Sequence, residues 1–180
     1  MIKLIIILST FVSILLSERG DLLTYEYVDS RDIETIQEQL NAQFGALSPT
    51  ALYDIDLYSI TYETIDQFGQ IVIASGLISY PKDVSSAFPF LTFQHGTQIK
   101  RDSAPSMNGF NDLILWLATS GYIFVESDYL GLGVSEILHP YHLKDVTATT
   151  VIDMLRASKH FCDQAEDIQY NDQLYLAGYS

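Results

Sequence analysis

Residues 173–180 read QLYLAGYS, an apolar run of strand type that passes without a break into Gly178-Tyr179-Ser180. A strand entering Gly-x-Ser can bend sharply into a following helix, because small residues leave room where the turn closes against the strand. A serine on such a bend stands above the carboxyl end of the sheet with its hydroxyl exposed. The next backbone N–H is aimed at the same place, where it could stabilise a developing oxyanion. The tripeptide alone is an ordinary turn. Its weight comes from what precedes it in the chain.

Working back from it, residues 88–93 (FPFLTF) and 122–125 (YIFV) are short, nearly continuous apolar runs, as expected of strands covered on both faces. Between them Asn111 predicts a capped helix containing Leu113, Ile114, Trp116 and Leu117, terminated by Gly121. A longer helix is expected over 143–161, where Val151, Met154, Leu155, Ser158, Phe161 and Cys162 recur at helical spacing. On it, Asp153 and Arg156 are expected to form an exposed pair. Strands alternating with helices imply right-handed crossovers and a parallel sheet. Further upstream, 51–66 and 70–80 are β-type segments joined by Gln67-Phe68-Gly69, which predicts an antiparallel hairpin closed by Pro81. Residues 18–50 read as a polar segment with one helix at 32–44, carrying Ile33, Ile36, Leu40 and Phe44 on one stripe. The expected class is α/β: an antiparallel hairpin, then parallel strands with flanking helices, in one domain over 51–180.

Residues 1–17 read as a secretory signal peptide, with Lys3 ahead of an uncharged apolar run at 4–16 and the small Ser17 after it. Export is the expectation; retention as a membrane anchor is the alternative, because Leu15 stands where a small residue favours cleavage. The run is shorter than the roughly 20 residues that span a bilayer. Nine Lys and Arg against 23 Asp and Glu leave a formal charge of −14 and no basic stripe, which argues against a nucleic-acid partner. Cys162 is the only cysteine, so no disulfide within this chain and no thiolate metal cluster is expected. It reads as a small apolar residue on a helix face, able to pair only with a cysteine outside these residues. His139 and His142 have no carboxylate or cysteine at ligand spacing, and His160 sits at a helix C-terminus; no metal and no cofactor is expected.

Two further stretches bear on Ser180. His95-Gly96-Thr97 follows the buried strand FPFLTF, and Gly96 would let the main chain approach a substrate oxygen closely. Asp128-Tyr129-Leu130-Gly131-Leu132-Gly133 follows the next strand, with glycines permitting a tight loop and Asp128 able to tie it down through backbone N–H groups. FQHGTQ (93–98), SDYLGLGVS (127–135), HPY (139–141), DMLRASK (153–159) and YLAGYS (175–180) together resemble the secretory-lipase and esterase-like branch of the α/β-hydrolase superfamily, over about residues 53–180.

The resemblance implies a Ser-His-Asp (or Glu) hydrolase acting on a small-molecule or lipid ester. It puts Ser180 on the nucleophile position and the Thr97 N–H, after His95-Gly96, on the oxyanion position. Tyr129 and Tyr179 are expected to line the substrate site. In this family the acid and the histidine follow the nucleophile, so Asp128 reads as structural and the chain as the N-terminal half of the hydrolase domain. A prolyl-oligopeptidase-type peptidase shares the fold and the elbow, and a non-catalytic hydrolase-like binding protein is the third reading.

Overall fold

The computed structural model describes residues 18–165 and 168–180; the expected signal peptide lies outside them. Its strands and α-helices follow in order: β1 (Leu22–Arg31), α1 (Ile33–Phe44), β2 (Ile55–Ile65), β3 (Ile71–Pro81), β4 (Phe88–Gln94), α2 (Pro105–Asn108), α3 (Asp112–Thr119), β5 (Ile123–Ser127), α4 (Lys144–Gln164) and β6 (Tyr170–Gly178).

Local chemistry explains most of these boundaries. Asp32 caps α1 by accepting the Thr35 N–H at 2.7 Å, and Asn111 caps α3 by accepting those of Leu113 and Ile114 at 3.0 Å. Asp66 takes the Phe68 and Gln70 N–H groups at 2.8 and 2.9 Å, closing the expected β2–β3 hairpin. The strands form one mixed sheet in the order β1-β2-β3-β5-β4-β6. From β1 to β5 each neighbour is antiparallel; β4 runs parallel to both β5 and β6. The expected hairpin is thus part of a longer antiparallel run. Strand β1 was not anticipated, since 18–50 reads as polar with a single helix. It lies at the sheet edge with most of its side chains exposed, so it carries no buried alternation to betray it.

Both faces of the sheet are covered. Ile60, Tyr62, Ile78, Phe90 and Val125 pack with Met154, Ala157, Phe161 and Cys162 of α4. On the other face Leu57, Leu77, Leu91 and Phe124 meet Ile36 and Leu40 of α1 and Ile114, Leu115 and Ala118 of α3. Cys162 is the small buried residue expected of it, and burial pushes its thiol up to about 12, so it stays a protonated packing group. At the far edge Leu174, Tyr175 and Leu176 of β6 are exposed beside the unpaired side of the strand.

Asp153 corrects the sequence reading. It is fully buried, and its carboxylate accepts hydrogen bonds from Arg19 Nε (3.2 Å) and Nη2 (3.3 Å), Arg156 Nη1 (2.8 Å) and Thr64 Oγ1 (2.8 Å). The stripe that α4 buries is turned toward Thr150, Asp153 and Ala157, which brings the acid inward against β2. Arg19 and Arg156 remain partly exposed and can hydrate if Asp153 is lost. Asp153→Ala should therefore cost about 2 kcal/mol, less than removing one partner of a fully buried pair. Urea unfolding of the variant and the parent checks this.

Candidate active site

The parallel half of the sheet positions the site. Strand β4 lies between β5 and β6: the chain steps from β4 to β5 on one side, then crosses back past β4 through α4 to β6 on the other. In open α/β sheets such a reversal opens a crevice at the carboxyl ends of the strands. Here the segments leaving β4 and β6 meet there.

From β6 the chain passes through Gly178 and Tyr179 into Ser180, whose φ of 71° lies in the left-handed region that non-glycine residues seldom adopt. The bend is fastened to the end of β4: the Tyr179 N–H donates to the Gln94 carbonyl at 3.1 Å. A Cβ on Gly178 would stand 3.1 Å from Gln94 Cβ and 3.2 Å from its carbonyl oxygen, so any larger residue would push the two chains a few tenths of an ångström apart. From β4, Gly96 reaches the same place. A Cβ added to it would lie 3.5 Å from Ser180 Cβ and 3.4 Å from Tyr179 Cδ1. The side chains of Ser180 and Tyr179 are exposed.

His95 shapes the approach. Its Nδ1 lies 2.8 Å from the Gly96 carbonyl oxygen, and because a carbonyl can only accept, Nδ1 carries the proton. The C=O and N–H of a trans peptide point in opposite directions, so this bond turns the Thr97 N–H away from the imidazole. The ring stacks on Tyr129 at 4.1 Å between centroids, and the Tyr129 hydroxyl donates to the His95 carbonyl at 3.3 Å. Burial, followed by the nearby Glu126, pushes the Tyr129 phenol up to about 12 and keeps it a donor. Tyr129 itself has φ 65°. The Thr97 hydroxyl lies 3.1 Å from that of Tyr141, a residue the sequence reading quoted within HPY without a role.

Asp128 is buried and holds the surrounding loops. It accepts the Ser106 N–H at 2.8 Å together with the Ser106 and Ser75 hydroxyls, and the Ser75 oxygen in turn accepts the Val134 N–H at 3.1 Å. A structural role was expected, through backbone N–H groups. The tether is instead one backbone N–H from the segment after β4 and two serine hydroxyls. Burial raises its carboxyl above the usual range, and the Ser106 and Ser75 hydrogen bonds oppose that.

Two strand positions earlier stands Glu126, missed from sequence and buried, with Oε2 lacking a hydrogen-bond partner among the described residues. Burial, then the charge of Asp128, pushes its carboxyl up to about 7; Asn111 pulls the other way. His139 Nδ1 donates to the Leu130 carbonyl at 2.6 Å. Among the described residues no group of three or more His, Cys, Asp or Glu side chains is placed to hold a metal ion, and no helix is long and apolar enough to cross a membrane.

Comparison with solved structures places this architecture. A protein assigned as a hydrolase from Legionella pneumophila superposes with a TM-score of 0.80 at 35% identity, over 88% of this chain and 43% of its own. A ligand-bound form of the rice cell wall degrading esterase LipA from Xanthomonas oryzae gives 0.79 at 29% identity, over 90% of this chain and 42% of its own. Candida antarctica lipase A in its closed state, at 17% identity and a TM-score of 0.61, shares the fold over 91% of this chain and 36% of its own. The chain thus spans less than half the length of each. No protein-family model matches it, and no curated protein does.

Proposed function

This chain has a partial α/β-hydrolase fold of the lipase and esterase type, and from that premise we propose that it belongs to a serine esterase in which Ser180 is the nucleophile. The observation that carries the proposal is the junction of two loops: a left-handed Ser180 at the end of β6 lies against Gly96 at the end of β4. Backbone strain of this kind clusters at functional sites, and a nucleophile must stand clear of its own strand.

In the proposed reaction a histidine that follows Ser180 in the chain takes its proton, the order Ser, acid, His being that of the hydrolases this chain resembles. Ser180 Oγ attacks the ester carbonyl carbon, and the carbonyl π electrons move onto oxygen. That oxyanion is held by the Thr97 N–H and by the N–H of the residue following Ser180, each worth about 3 kcal/mol in such sites. Collapse expels the alcohol, protonated by the same histidine, and leaves Ser180 acylated; water attacks in the mirror-image step. Tyr179 and Tyr129 border the substrate. The substrate class is a small-molecule or lipid carboxylic ester, which the esterase and lipase neighbours support. Export is part of the proposal, supported by the apolar run at 4–16.

A fluorophosphonate probe tests the reading, since it reacts only with an activated serine. The full-length protein should be labelled stoichiometrically, with the adduct mapped by mass spectrometry to the peptide containing Ser180. Labelling elsewhere, or none in a folded protein, would reject the assignment.

A further inference from the structure

We infer that Tyr141 is a positioning residue for oxyanion stabilisation, its phenol holding the Thr97 hydroxyl and thereby fixing the Gly96–Thr97 peptide beside Ser180. The inference rests on the esterase reading above and adds to it a residue 44 positions downstream of Thr97.

Three consecutive residues after β4 are each held by one side chain. The His95 carbonyl accepts from the Tyr129 hydroxyl, the Gly96 carbonyl from His95 Nδ1, and the Thr97 hydroxyl pairs with that of Tyr141. The first two bonds hold carbonyls at and before the Gly96–Thr97 peptide, and the Tyr141 contact holds the side chain that follows it. A peptide gripped on one side alone can swing its N–H through a wide arc; gripped on both, it keeps one direction. That matters because an oxyanion donor acts only if it already points where charge develops.

Tyr141 is itself firmly placed. Its N–H donates to the His139 carbonyl at 2.8 Å, and its ring centre lies 5.9 Å from that of His139 and 4.0 Å from that of His142. His139 is anchored in turn by its bond to Leu130. Gly131, at φ 80°, is where the loop closes on itself: a Cβ there would fall 2.3 Å from the His139 backbone nitrogen. Left-handed Tyr129 and His142 stand at the two ends of this loop. Non-glycine residues keep such conformations only where their surroundings over-determine them. The loop from 129 to 142 thus brings two phenols, Tyr129 and Tyr141, across to the segment that follows β4.

The test is a pair of substitutions in the full-length protein, assayed on p-nitrophenyl butyrate. Tyr141→Phe keeps the ring and removes the hydroxyl; it should lower kcat about 5- to 10-fold with KM changed less than about twofold and the melting temperature unmoved. Thr97→Val should give a similar loss, Thr97→Ser should retain most of the rate, and the double variant Tyr141→Phe/Thr97→Val should be no slower than Thr97→Val. Unchanged kcat in Tyr141→Phe, a loss confined to KM, or single losses that multiply in the double variant would overturn the inference while Ser180→Ala remained inactive. A Ser180→Ala protein that still turned over the ester would instead remove the esterase reading, and this inference with it.

Discussion

Ser180→Ala should lower kcat/KM on p-nitrophenyl acetate and butyrate about a thousandfold or more, leaving only what binding and the oxyanion donors provide without a nucleophile. The loss should fall on kcat, since the hydroxyl is the attacking group and acts in the chemical step. A second substitution separates chemistry from conformation. At φ 71° an L-residue carries steric strain that glycine does not. Ser180→Gly should therefore be equally inactive yet more stable than Ser180→Ala by roughly 1 kcal/mol. Differential scanning calorimetry beside the esterase assay reads both quantities. If alanine and glycine at this position gave the same stability, the bend would not be strained in solution. An active alanine variant would remove Ser180 from the chemistry altogether.

Glu126→Gln should change how stability depends on pH. Glu126 is buried two residues before Asp128, and burial is the main reason its carboxyl rises from an ordinary 4.5 to about 7. An acid with a raised folded pKa binds more protons folded than unfolded between those two values. Its contribution is thus fully present below about 4.5 and is lost as pH rises through about 7. At about 1.4 kcal/mol per pKa unit, the loss across that window is of order 3 kcal/mol.

Glutamine keeps the shape and never ionises. Denaturant unfolding of the full-length variant should show a shallower slope between pH 4.5 and 8 and a gain over the parent at pH 8. Asp128 is also shifted upward, by burial, so some slope will persist in the variant. An unchanged slope would assign the whole effect to Asp128 and show that Glu126 reaches water.

Where elements begin and end was largely readable in the chain, because those signals are local. Asp32 and Asn111 cap helices from their own first turns, Asp66 and Gly69 close the β2–β3 turn, and the runs that became β4 and β5 are apolar because both their faces are covered. Strand β1 escaped because an edge strand with exposed side chains has no burial pattern to display. Asp153 was misread for a related reason. Its spacing to Arg156 is that of a solvated pair, whereas its burial depends on Arg19, 134 residues away, and on Thr64 in another strand.

The candidate site divides along the same line. Residue identity alone determined that a strand would end in a glycine-permitted bend at Ser180 and that Gly96 would free the chain after β4, since each is a short-range steric fact. That these two points touch, that Tyr141 reaches Thr97, and that Glu126 is sealed beside Asp128 were decided only when β4 came to lie between β5 and β6. Strand order is set by burying two sheet faces at once, a collective energy of the whole core that no single segment carries.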